Sequence, residues 1–234
     1  MRQIVSLVVA VLLSAGTSFA QEWRTFTSAK DRFAVNVPAE PVVTDIIWET
    51  EYGGKLPGRI YTVKQGANTY SVTVVDYNAL RAQQEAKAKN CEPGVEACTA
   101  ETAARRSEPN GIGYWKTDIR GALVYTTFKY LQRDAKVTYY MWNWLGQGPE
   151  AHELQLLNPD RSKTFVAMYM HHNWLYVLEG TVRDGIPPPV IFQQSVSLFE
   201  ADGRRANHGR TYFNAAELDP NEVFPFGRGA RPTP

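Results

Sequence analysis

The chain has 234 residues, 44% of them hydrophobic, with 25 basic against 24 acidic side chains and a net charge of +1. Such a balance excludes any general electrostatic pull towards nucleic acid or an anionic membrane surface. The length suits one domain, with enough chain to bury a core that needs no covalent staple.

In chain order, Arg2 is followed by an apolar run from Ile4 to Leu13 and then by Ser18-Phe19-Ala20. A single positive charge, an apolar stretch and small residues before a cleavage point make the secretory pattern. The run of about ten residues falls well short of the roughly 20 that a spanning helix needs. We therefore expect residues 1–20 to be a cleaved signal peptide without lipid attachment, since no Cys follows it. Loss of Arg2 with the leader leaves 24 charges of each sign. No later stretch is apolar enough to form an integral membrane segment.

Trp23–Phe26 and Arg32–Pro38 read as two short strands joined by a turn at Ser28–Asp31. In the second, Phe33, Val35 and Val37 alternate with Arg32, Ala34 and Asn36, the period of a half-buried strand. Val42–Trp48, Arg59–Lys64 and Tyr70–Tyr77 are further strands, rich in β-branched and aromatic residues. Gly53-Gly54, Pro57-Gly58 and Gln65-Gly66 punctuate them as turns. From Leu80 to Lys89 the composition switches to strong helix formers, and Thr99–Arg106 resumes it. Tyr114–Arg133 is expected to be a helix, with Trp115, Ile119, Ala122, Leu123 and Tyr130 forming one apolar stripe.

Strands return at Lys136–Leu145, His152–Leu157, Thr164–His171 and Trp174–Val182. Pro187–Pro189 then leads into an expected helix over Val190–Phe199, with Ile191, Phe192, Ser195, Val196 and Phe199 on its docking face. The sequence loses periodicity after Gly203, and the part from 207 to 234 is expected to be a flexible tail. Residues 21–206 then make a single α+β domain, an antiparallel sheet with helices packed on it.

Trp23-x-x-Phe26 with Asp31-Arg-Phe-Ala-Val-Asn-Val-Pro38 resembles the opening hairpin of the PsbP-like α/β/α sandwich family. Asn173-Trp-Leu-Tyr176 and Phe192-Gln-Gln-Ser195 are similar to the closing elements of its small exported bacterial members. The resemblance spans most of residues 22–202 and implies a fold of that kind, used for binding or assembly. It brings no catalytic residue with it, and the cysteine-bearing insert around residues 90–110 departs from its pattern.

The two cysteines, Cys91 and Cys98, are an even pair in an exported chain, which predicts a disulfide. The short loop it closes is worth on the order of 2–3 kcal/mol. Neither CxxC spacing nor a metal pattern surrounds it. His171 and His172 are adjacent, so in a strand their rings face opposite sides and cannot share a metal, whereas in the turn before Trp174 both could be exposed; His152 is a possible cross-sheet neighbour of His171. With His208 the only other histidine, no metal ligand set and no cofactor is expected. No Gly-x-Ser-x-Gly elbow occurs. Ser195 falls on a face that should be buried, where a serine caps or packs. Asp118, Glu153 and Glu179 lie on separate elements, and Glu179 is expected to face solvent. Arg204-Arg205 and Arg210 form a short, solvated basic patch.

The strongest local signal is Tyr139–Trp144. Alternation places Tyr140, Trp142 and Trp144 on one strand face, either a surface for stacking a sugar or apolar ligand or large rings filling a gap beneath a helix. Packing is the expected outcome, which makes Trp142 a core residue. The functional expectation is a periplasmic or secreted binding or assembly protein without catalytic machinery, acting on an envelope protein or a small ligand. The alternatives are a hydrolase whose site is assembled only in three dimensions, or a structural envelope component.

Overall fold

The computed structural model describes residues 23–89, 115–143 and 150–206. The leader, both cysteines, Thr99–Arg106, Trp144, His208, Arg210 and the tail from 207 onward lie outside them. Among the described residues are ten strands and three helices: β1 (Arg24–Ser28), β2 (Phe33–Val37), β3 (Val42–Glu49), β4 (Lys55–Gln65), β5 (Asn68–Asp76), α1 (Asn78–Lys89), α2 (Trp115–Leu131), β6 (Lys136–Asn143), β7 (Ala151–Leu157), β8 (Lys163–His171), β9 (Trp174–Val182), α3 (Val190–Gln194) and β10 (Ser197–Leu198). The result is an α+β architecture. A seven-stranded antiparallel sheet runs β3-β4-β5-β9-β8-β7-β6, and a three-stranded sheet runs β1-β2-β10.

Side-chain alternation sends each central strand into two cores. Tyr70, Val72 and Val74 of β5, with Tyr176 and Leu178 of β9, meet Phe33, Val35 and Val37 of β2, Phe192 of α3 and Leu198 of β10. On the opposite face, Val75, Val166, Met168, Leu175 and Val177 pack beneath Leu80 of α1 and Ile119, Ala122 and Leu123 of α2. The central strands are thus covered on both sides, which explains their near-continuous apolar runs. Helices α1 and α2 form one layer. The small sheet and α3 form the other.

Three local expectations change. Pro57-Gly58 is no turn, for β4 runs straight through it. Pro57 pairs with Ile47 of the edge strand β3, while the β4–β5 ladder starts only at Gly58. Proline's missing N–H is therefore tolerated there. Gly58 is needed at that point, since a Cβ would come within 2.9 Å of the Val74 carbonyl.

The helix expected over Val190–Phe199 stops at Gln194. The Ser195 hydroxyl accepts a hydrogen bond from the Asn36 amide at 2.7 Å and donates to the Phe192 carbonyl at 3.0 Å. This draws the chain onto β2, where Ser197 and Leu198 pair as a strand. Phe192 is buried, whereas Ile191 projects outward.

A polar cluster that sequence reasoning passed over joins the two sheets. Asp31, fully buried at the β1–β2 turn, takes two bonds from the Arg59 guanidinium and one from the Tyr61 hydroxyl. Ser28 lies 3.0 Å from the same hydroxyl, and Tyr176 donates to the Asp31 carbonyl at 3.0 Å. Pairing with Asp31 raises the Arg59 pKa, and burial with that same bond raises that of Tyr61.

Candidate functional site

β6 is the outermost strand of the large sheet and, among the described residues, pairs only with β7. Directly opposed residues of an antiparallel pair share a face. Tyr140 opposes Leu154 and Trp142 opposes His152, so both rings point to the helical side of the sheet. The alternation read from sequence holds. The expected burial does not: Trp142 is 57% exposed and Tyr140 49%. The physical reason is position in the sheet, since β6 is its outermost strand and α2 packs on the inner strands β7 and β8.

Helix α2 carries a second apolar stripe on the side turned away from its buried face. Val124, Phe128 and Leu131 follow an i, i+4, i+7 spacing and are all exposed. Thr127, their neighbour on the helix surface, touches His152 of β7. On the sheet, Val137, Tyr140 and Trp142 form an exposed row on one face of β6. His152 lies beneath it, with its ring 5.9 Å from Tyr140 and 6.2 Å from Trp142, both edge-on.

His152 is buried, and burial lowers its pKa, so the neutral ring is favoured. Its Nδ1 lies 2.6 Å from the Thr127 hydroxyl. A hydroxyl beside an imidazole is the skeleton of an activated nucleophile. Here both groups are buried under the rings, and the hydroxyl also faces the Met168 sulfur at 3.8 Å. The pair supports the row of rings from beneath. Burial raises the Glu150 pKa, an effect partly offset by a hydrogen bond to Trp142.

The remaining expected residues disperse. Asp118 is buried at the start of α2, bonded by the Thr50 hydroxyl, and burial raises its pKa. Glu179 does not simply face solvent: Tyr130 donates to it at 2.6 Å and Arg133 at 3.0 and 3.1 Å. Glu153 lies on β7, opposite Met141 of β6 and Ala167 of β8. Arg204 pairs with Asp202 at 2.6 Å in an exposed turn. His152 opposes Met168 and is no cross-sheet partner of His171.

The expectation for His171 and His172 is overturned more sharply. The chain reverses at His172-Asn173, whose φ angles are +47° and +61°. Strand alternation ends there, and the two rings come to 4.3 Å, both beside Glu200.

Sequence reasoning missed the Val124–Phe128–Leu131 stripe, although its spacing was visible on the same helix. It also missed Glu200, for which no local pattern existed. Compared with known proteins, the chain matches no family model and no curated sequence.

Proposed function

We propose that this is an exported, non-catalytic binding or assembly protein that receives an extended segment of a partner polypeptide along β6. The observation that carries the reading is the coincidence of a strand edge that, among the described residues, pairs only with β7, and a row of exposed rings on that same strand. A strand edge offers unpaired backbone groups, and alternate side chains of an added strand would continue the row of Val137, Tyr140 and Trp142. Tyr and Trp suit such a surface, giving large contact area for little conformational entropy. The near-neutral charge favours recognition by shape and backbone pairing over electrostatic steering. Export rests on the leader pattern of residues 1–20, and mass spectrometry of the mature protein should find Gln21 at its N-terminus. A PsbP-like sandwich is the finer fold reading. It is supported by the opening hairpin and by a central antiparallel sheet with α1 and α2 on one face and α3 on the other.

The test places a photoreactive amino acid at position 142 in cells and identifies the linked residue on the captured protein. Linked residues should fall in one extended, alternately apolar segment, and Thr138→Pro should abolish the product while melting no lower than Thr138→Val, which also loses the hydroxyl bond to the Gln155 carbonyl but keeps the product. A product indifferent to that proline, links only between copies of this chain, or no product at all would overturn the reading.

A further inference from the structure

We propose that His171, His172 and Glu200 form a binding site for a Zn²⁺-class divalent cation, at the end of the sheet where β8 turns into β9. The Nε2 atom of His172 lies 3.1 Å from one Glu200 oxygen, and that of His171 lies 3.6 Å from the other. One ligand atom from each of the three residues falls within 4.8 Å of the others. Zinc holds nitrogen and carboxylate oxygen at roughly 2.0–2.2 Å, which sets tetrahedral ligand atoms about 3.3–3.5 Å apart. The two nitrogen–oxygen separations lie near that spacing but run to different oxygens of Glu200, so side-chain rotations must draw together three ligand atoms that now lie within 4.8 Å of one another.

Both sides of the site are held by backbone. The histidine turn is pinned by Asn78, which donates to the His172 carbonyl at 3.0 Å and accepts from Asn173 at 3.0 Å. The Tyr77 amide adds a bond to the Asn173 carbonyl at 2.9 Å. Glu200 sits in its own turn, its amide bonded to the Arg204 carbonyl at 2.8 Å and its carbonyl to the Gly203 amide at 3.0 Å. Next to it, the Phe199 amide binds the Arg32 carbonyl at 2.8 Å, which stitches this turn to the small sheet. Ligands carried on supported turns lose little freedom when an ion arrives.

The donor chemistry selects the ion. Two imidazoles and one carboxylate suit first-row divalent metals, whereas calcium and magnesium prefer oxygen alone. One carboxylate cannot neutralise two protonated imidazoles side by side, but it completes a divalent ion held by two neutral ones. His171 is buried while His172 and Glu200 are partly exposed, so the ion is reachable from solvent and keeps a coordination position for water. Its evident effect would be to clamp the segment after β10 onto the β8–β9 hairpin, joining the small sheet to the large one.

Titration calorimetry on the purified, EDTA-stripped protein tests this with ZnCl₂, and CoCl₂ serves as the optical probe. The expected result is one Zn²⁺ per chain, a melting temperature that rises with zinc, and visible Co²⁺ bands of low-symmetry coordination. His172→Ala and Glu200→Gln should each weaken binding by at least about tenfold, the scale on which even supporting groups of metal sites act. Their melting temperatures in EDTA should match that of the parent. MgCl₂ should give no heat. These two half-exposed positions decide the matter even if a His171 variant fails to fold. Zinc affinity unchanged in both variants, or no stoichiometric binding by the parent, would overturn the proposal.

Discussion

Replacing Asp31 by Asn probes how the small sheet is fastened to the large one. The change keeps the side-chain shape but removes the charge that accepts two bonds from Arg59 and one from Tyr61. Asp31 is fully buried and the Arg59 side chain is only 20% exposed, so water cannot replace the lost partner. Breaking one side of a buried ion pair costs about 3–5 kcal/mol, mostly the penalty of a stranded charge. For a domain of this size, each kcal/mol lowers the melting temperature by about 2–4 °C, which predicts a fall of roughly 6–20 °C. Differential scanning calorimetry measures it directly. The Arg24–Glu40 pair of the same hairpin supplies the control, because both partners are exposed and Glu40→Gln should leave the midpoint unmoved. Adding Arg59→Met to Asp31→Asn should cost less than Arg59→Met alone, since the double variant strands no charge. A drop in the Asp31→Asn midpoint no larger than that of Glu40→Gln would refute the argument that this cluster fastens the sheets.

The site and its supports yield three further expectations. Burial holds the His152 pKa below its ordinary 6.5, so as pH falls through 6.5 the unfolded chain takes up this proton before the folded one does. Stability should therefore drop below about pH 6.5 and level off once the folded ring titrates, and His152→Gln should flatten that part of the urea-midpoint profile. Ser195→Ala leaves the Asn36 amide without its 2.7 Å partner and should cost about 1–3 kcal/mol in urea unfolding. The Tyr140→Ala/Trp142→Ala double variant should stay within about 1 kcal/mol of the parent, because both rings are largely exposed, while losing crosslinked partner.

Period-two alternation located β2, whereas β5 was legible from its β-branched and aromatic residues and β8 and β9 from the turns that separate them, because these central strands meet a core on both faces. The same rule correctly placed Tyr140 and Trp142 on one face. What it cannot convey is whether anything covers that face, which depends on β6 being outermost, a non-local fact fixed by pairing with β7. The His171–His172 argument failed for a related reason: alternation ends where φ turns positive, and the site needs Glu200, 28 residues further on. Pro57 misled because a proline reads as punctuation unless its strand is known to lie next to an edge. Ser195 deceived in the opposite direction. Its apolar neighbours have helical spacing, but its hydroxyl ends the helix by capturing an amide from β2. The Asp31–Arg59 pair had no sequence signal, being two ordinary charged residues that only the packing of two sheets brings together.

The claim that β6 is an open edge awaiting a strand is tested most directly by hydrogen–deuterium exchange across residues 136–143. In the isolated monomer, the outward-facing half of these amides should exchange as fast as loop amides, while those of the central strand β9 stay protected. Adding the peptide segment identified by crosslinking should slow the β6 amides selectively. Protection of β6 equal to that of β9 in the isolated monomer, or no slowing when the segment is added, would contradict the account.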